Sequence, residues 1–490
     1  MKNKVICILV VVGALFVSFM FTSLDQKALF ARVHQHRMIT SAQPMDDEAT
    51  RLPIVSIDTQ GKKIPGEPVI DQEGNVSGYT VNELGEKMSE MEVSIYDDET
   101  MMNRIDKKPT LKTASLVRYR GNSSRRFSKK GYLLRFVQED GKDHDLDVMG
   151  MGRESEWVLH GPFLDKTLMR NYLCMNVIGQ VMPFTPDVRF CRLYVDGNYQ
   201  GLYLMMESIR RGEQRVNIKK NSDDDLYISY IVRMDGDSKN FGALDTFGYY
   251  TFMTQDTNTR FGVVYPGTKN LKDEWKTYIE DDISRFEKAL YSYDFMDQQN
   301  GYRAYIDVDS FVDMYVFMEF FGISDFGRRS TYLYKDGKGK LTMGPVWDFN
   351  NAMDNFFLKQ PTDTMQFHDL YWYRMLLKDE DFVNKVIHRY EQLRKNVLDE
   401  AYLYSYIDEV CAFLGTEIDK NFEVWGYSFD ASLLPKTEKL SPDERNVKSW
   451  EEAVVQMKTY IHERGTWLDE HIDTLYQYCH DSKNKDSLLK

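Results

Sequence analysis

The chain has 490 residues, of which 42% are hydrophobic and 28% charged, so it belongs among globular proteins and not disordered ones. That length accommodates two or three ordinary domains, or one enlarged two-lobed domain. A formal net charge of −14 excludes a general nucleic-acid polymer as partner, because phosphate binding requires a broad basic face.

After Met-Lys-Asn-Lys comes an uncharged apolar run, Val5 to Leu24, long enough to cross a bilayer as one helix. Lys2 and Lys4 would hold that end in the cytoplasm by the positive-inside rule. No small-x-small cleavage site follows, which favours an uncleaved signal anchor over residues 1–23. The expected location is therefore the cell membrane, single-pass with the remainder outside, or secreted if the segment is cut. Residues 24–50 are polar and aperiodic and read as a linker.

Ordered structure is expected from residue 51 onward. PIVSIDT, EVSIYDD, SLVRYRGNSS and KKGYLLRF alternate as strands. A helix is predicted over Asp165 to Val181, followed by a hairpin from Val188 to Ile209 that turns at Asp196-Gly197-Asn198. YISYIVRMDG and YYTFMT look like further strands, and Asp273 to Tyr291 like a helix. Ser310 to Phe321 has helical spacing, with Asp309 as a plausible N-cap and Gly322 as the stop. A hairpin follows, TYLYK and LTMGPVW joined by DGKGK, and beyond it the chain is mostly helical. The expected architecture is α+β, strand-rich over about 51–210 and helix-rich over about 211–490, with a ligand cleft between the two parts.

Cys7, Cys174, Cys191, Cys411 and Cys479 are scattered without metal or redox spacing, and there is no HExxH. The chemistry is concentrated elsewhere. Asp325 and Asp348 sit in loops at the two ends of the short hairpin, the first just after a helix. Helix, loop aspartate, hairpin, loop aspartate is the order in protein kinases, where the first handles the acceptor hydroxyl and the second binds Mg²⁺. A loop aspartate is also an ordinary cap or turn former. A carboxylate-pair glycosidase would use two such acids too, but leaves the basic cluster unexplained.

That cluster is RYRGNSSRRFSKK, residues 118–130, where small residues let backbone N–H groups approach a phosphate and Arg120, Lys129 and Lys130 add charge. It reads either as a triphosphate clamp or as an exposed basic hairpin. Strand parity groups Lys130 with Tyr132, Leu134 and Phe136 on the inward side, so Lys130 is preferred as the nucleotide ligand. Glu207 either pairs a cation or meets a nucleotide base, or is a helix N-terminal charge. Asp165, Lys166 and Arg170 are further candidates for charge pairing in the cleft.

The blocks LPIVSIDT, RYRGNSS…KKGYLLRF, WVLHGPFLDKTLMRNYL, VVYPGTK and SDFGRRSTYLYKDGKGKLTMGPVWDFNNAMDN resemble the spore-coat protein H (CotH) kinase family over about Leu52 to Asn355. The resemblance implies a two-lobed atypical protein-kinase-like fold that uses ATP and Mg²⁺ or Mn²⁺ to phosphorylate Ser or Thr of secreted or cell-surface proteins. It implies Asp325 as catalytic aspartate, Asp348 as metal ligand, and Lys130 as nucleotide-binding lysine. Two positions depart from the family pattern: Asn350 stands where WDFD has its last Asp, and Ser330-Thr331 where an Asn is common before the hairpin strand. A hydroxyl is a poorer Mg²⁺ ligand than a carboxylate or amide oxygen, so a catalytically silent binding module on the same fold is the alternative.

Overall fold

The computed structural model describes residues 34–38, 48–236, 242–251 and 260–481. The expected anchor at residues 1–23 lies outside these, as does most of the linker. The fold is mixed α+β.

Seven described strands close into a barrel: β1 Ile54–Asp58, β2 Ser89–Tyr96, β3 Leu111–Arg120, β4 Gly131–Val137, β5 Glu156–His160, β6 Val188–Val195 and β7 Asn198–Glu207. The order around the barrel is β1-β6-β7-β5-β4-β3-β2, and β1 closes it by pairing parallel with β6 and antiparallel with β2. Alternation along the strands sends one set of side chains inward, so Val93, Val117, Leu134, Phe136, Trp157, Leu193 and Met205 fill a core of their own. The β6–β7 turn is Asp196-Gly197 at φ 49° and 76°, the left-handed pair that a two-residue hairpin needs.

The opposite faces of these strands, with Leu133, Val158, Phe190, Leu204 and Met206, belong to a second and larger core. Helix α1, Arg170–Ile178, is wedged into it and every one of its residues is buried. It starts later than the expected Asp165, because the Asp165 carboxylate accepts from the backbone N–H groups of Thr167 (3.1 Å) and Arg170 (2.9 Å) and shapes the preceding residues into a cap, and it ends at Ile178 before Gly179, short of the expected Val181.

Beyond the barrel, β8 Tyr230–Asp235, β9 Arg260–Tyr265, β10 Thr331–Lys335 and β11 Thr342–Met343 form a second antiparallel sheet in the order β9-β8-β10-β11. The expected strand YYTFMT falls partly on residues 252–254, which are outside the described set. Its first residues instead belong to helix α2, Phe247–Thr251, whose Gly248 N–H is bonded to the buried Glu287 carboxylate (2.6 Å). Helix α3, Asp273–Leu290, buries Ile279, Ile283, Phe286 and Leu290, the spacing read from sequence.

Helix α4, Val308–Phe321, ends at Gly322 with φ 61°, where a Cβ would run into the Tyr460 hydroxyl. Its N-cap is Asp307, which accepts from Ser310 N–H, and not Asp309. Asp309 lies inside the first turn and pairs with Lys385 (2.7 Å). The longer helices that follow are α5 Glu380–Arg394, α6 Glu400–Leu414, α7 Glu417–Trp425 and α8 Trp450–His471.

Helix α7 returns to the barrel. Glu417 receives both Arg192 of β6 (2.7 Å) and the Thr50 hydroxyl (2.6 Å) in a buried contact. The expected single-pass membrane location is not upheld by the described residues, among which no helix is long and apolar enough to cross a membrane; the expected anchor itself lies outside them.

Candidate functional site

A cavity of about 560 Å³ opens between one end of the barrel and the second sheet. The barrel supplies Arg118 and Arg120 of β3 and Val158 and His160 of β5; α1 supplies Asn171; the other wall supplies Asp235, Asp325, Arg329, Trp347, Asp348 and Asn351.

Each acidic position follows from local chain geometry. Gly322 stops α4, and the Asp325 carbonyl then accepts from the N–H groups of Arg328 (3.0 Å) and Arg329 (2.8 Å), making a tight turn before β10. Gly327 in that turn has φ 70° and packs so close to Leu370 that a Cβ there would collide. Asp348 is itself left-handed, φ 71° and ψ 59°, and leads into a short 3₁₀ turn, Phe349–Asn351. Met353 N–H bonds to Phe321 O (2.8 Å), which pulls this turn against the end of α4.

The two loops hold each other's acids. Asn351 Nδ2 donates to Asp325 Oδ2 (3.1 Å), and Ser330 Oγ donates to Asp348 Oδ2 (3.1 Å).

Like charges are concentrated at both poles of the cavity. Burial first, and then the Asp325 charge, push the Asp348 carboxyl up to about 6 against the opposing Arg120 and Ser330. Asp325 is also raised, mainly by burial with Asp235 adding to it, while Arg329 and Asn351 oppose. On the facing wall, burial and the neighbouring Arg125 and Arg120 lower Arg118 to about 10. The Arg120 guanidinium lies 5.0 Å from the centre of the Trp347 ring. An anion would relieve the guanidinium pole, and a cation the carboxylate pole.

Among the described residues no group of three or more His, Cys, Asp and Glu is arranged to hold a metal ion. Two carboxylates that repel each other are nonetheless what Mg²⁺ takes from a protein when phosphate oxygens and water complete its shell. The donors are hard oxygens, and a buried Asp348 carboxylate set beside the Asp325 carboxylate is the observation in this molecule that fits a divalent cation.

Of the residues singled out from sequence, Asp325, Asp348 and Arg120 line this cavity, as do Ser330 and Asn350. Lys130 does not: its ammonium donates to Arg125 O (2.7 Å) and pairs with Glu67 (3.1 Å). The parity argument fails because β4 begins at Gly131, so Lys130 precedes the strand and is not bound to its alternation. Lys129 is the buried one, 1% exposed, with Nζ on Asn421 Oδ1 (2.7 Å) in α7 and away from the cavity lining. Glu207 is also outside. It is buried at the end of β7, ion-paired with Arg215 and accepting from Asp187 N–H (2.7 Å). Asp165 and Arg170 pair with each other beneath the site, while Lys166, lowered to about 7 by burial, donates to Phe163 O (2.7 Å).

Sequence reasoning missed Arg118, Asn171, Asp235, Arg329 and Asn351. Arg118 had a signal, since it lies two residues before Arg120 and so on the same face of β3. Asp235 closes a strand just before Gly236, as Asp348 follows one, but Asn171 carries no local mark.

Arginines at the barrel end facing paired loop aspartates form a candidate site for an anionic ligand together with a cation. The chain belongs to the CotH family: the family model described as CotH kinase protein matches residues 117–468. It is also similar to the inner spore coat protein H of Bacillus subtilis (strain 168), with 23% identity over 240 residues. That match covers 48% of this chain and 57% of the relative.

Proposed function

We propose that this protein is an ATP- and divalent-metal-dependent kinase that phosphorylates Ser or Thr hydroxyls of a surface or coat protein. The observation that carries the reading is the pairing of opposite, self-repelling charge clusters across one cavity: Arg118 and Arg120 on one wall, Asp325 and Asp348 on the other. Bound metal and nucleotide would supply the transferable phosphoryl group and neutralise its charge. Asp348 would hold Mg²⁺ or Mn²⁺, with the Asn350 amide oxygen beside it as a neutral donor. Arg120 and Arg118 would bind phosphate oxygens, and the small residues Gly121 and Ser124 on the same rim let backbone approach them. Asp325 would orient the acceptor hydroxyl and take its proton; its raised pKa makes it a better base than an ordinary aspartate.

Lys130 and Glu207 have no part in this arrangement, and the cationic role falls to arginines. Similarity to an inner spore coat protein supports a coat-type acceptor. The two departures support the second reading, a binder without transfer, because Ser330 already bonds to Asp348 and an amide replaces a carboxylate at Asn350.

The full chain incubated with γ-labelled ATP, Mn²⁺ and a Ser-rich acceptor tests the proposal. Transfer should occur and fall by about 10²–10³-fold in Asp348→Ala and in Asp325→Ala, the loss expected when a preorganised charge is removed. Metal-dependent ATP binding without any transfer would select the silent reading, and neither binding nor transfer would remove both.

A further inference from the structure

The turn that presents Asp348 is gripped from below by the first two residues of α1. Asn171 is 2% exposed, and its Oδ1 accepts from the Phe349 N–H at 2.8 Å, the peptide group immediately after Asp348. Arg170 is 1% exposed, and its Nε donates to Ala352 O at 2.9 Å, at the far end of the same turn. Arg170 is in turn fixed by the buried Asp165 carboxylate. The other end of the Asn171 amide is also engaged, because Nδ2 lies 3.2 Å from His160 Nε2 on β5.

These contacts determine one another. Oδ1 must face the Phe349 N–H, so Nδ2 must face His160, which has to offer a lone pair at Nε2. Burial lowers His160 to about 4, so its ring is neutral at physiological pH and can accept there. Asp348 needs this support, since a non-glycine residue at φ 71° occupies a sparsely populated conformation that its surroundings must hold. Its own side chain makes no cap to the turn that follows.

We infer that Asn171, oriented by His160 and seconded by Arg170, is the positioning residue that sets the Asp348 carboxylate toward the cation site. The inference rests on the functional reading above. Asn171 lines the cavity, yet its amide is committed at both ends to protein partners, so its contribution passes through the loop and not through contact with nucleotide. Such outer partners of a metal ligand are typically worth about 10–100-fold in metal affinity or activity.

The test uses the full chain, with ATP affinity measured with and without Mn²⁺ and amide hydrogen exchange followed across residues 348–352. In Asn171→Leu the exchange of that segment should rise, and the Mn²⁺-dependent gain in ATP affinity should shrink by about 10-fold. Metal-free ATP affinity should stay unchanged, because the arginine wall is untouched. Asn171→Asp keeps the acceptor for Phe349 N–H once His160 switches to the tautomer that donates from Nε2, and should therefore keep the slow exchange of the segment. Should Asn171→Leu not fold, Asn171→Ser is too short to span the contact and takes its place. Unaltered exchange, or equal loss of metal-free and Mn²⁺-dependent affinity, overturns the inference. Asp348→Ala separates the two claims: if it retains the full Mn²⁺ gain, the metal role of Asp348 falls, and faster exchange in Asn171→Leu would then show a loop clamp without that consequence.

Discussion

The two walls of the cavity were built by different kinds of information. Apart from Asp235 of β8, the acidic wall is a short stretch of chain, Asp325 to Asn351, in which helix end, tight turn, hairpin and second turn follow one another and carry their side chains with them. The basic wall is assembled by a barrel, and which of several neighbouring cations reaches the cavity depends on where a strand begins. Arg118 and Arg120, inside β3, reach it, as do Arg125 and Arg126 in the turn that follows; Lys129 and Lys130, just before β4, do not. A charged residue within a strand has its direction set by the pleat, whereas one at a strand's threshold goes where packing sends it.

Glu207→Ala strains this contrast most. If Glu207 is a structural partner of Arg215, its removal leaves a buried guanidinium uncompensated and should lower stability by about 3 kcal/mol in urea unfolding, with ATP affinity of the folded protein unchanged. Loss of ATP affinity at full stability would return Glu207 to the site. Arg120→Ala removes a cation facing the phosphate position and should weaken ATP binding by about 10-fold, read by calorimetry.

A smaller effect concerns pH. An ordinary aspartate titrates near 3.8, and Asp348 is held at about 6 in the folded protein. The folded state therefore binds its proton more readily, so this group's contribution to metal-free stability falls as pH rises from about 4 to 6. Cation binding requires the ionised form, so the extra stabilisation by Mg²⁺ with ATP should grow as pH rises through 6. Melting curves with and without the pair at pH 5 and pH 7.5 should diverge more at the higher pH; equal divergence would remove Asp348 as the ligand. Least affected should be Lys130→Ala. It breaks a partly exposed pair with Glu67 and should change ATP affinity by less than about 2-fold. A 10-fold loss there would move the phosphate clamp back to the strand threshold.

Much of the fold was legible because its signals are local. The Asp-Gly turn between β6 and β7, the spacing of Ile279, Ile283, Phe286 and Leu290, and Gly322 as a helix stop are all written within a few residues of where they act. Local polar competition defeated the reading at the start of α1, where the Asp165 side chain takes the N–H groups a longer helix would have used. The same competition moved the α4 cap to Asp307. At the second sheet, Tyr249 to Thr251 looked like a strand by composition, but the buried Glu287 carboxylate accepts Gly248 N–H at the start of a short helix.

The sequence alone determined the α+β composition, the order of the elements, and the two loop aspartates, because helix stops, turn residues and hairpin alternation act over distances of one or two turns of chain. The tertiary structure alone decided that arginines and not lysines face those aspartates, that Glu207 is committed to Arg215, and that Asn171 holds the turn after Asp348 from 178 positions away. Such pairings depend on barrel closure and on burial, which set the energy of a charge by everything packed around it and not by its neighbours along the chain.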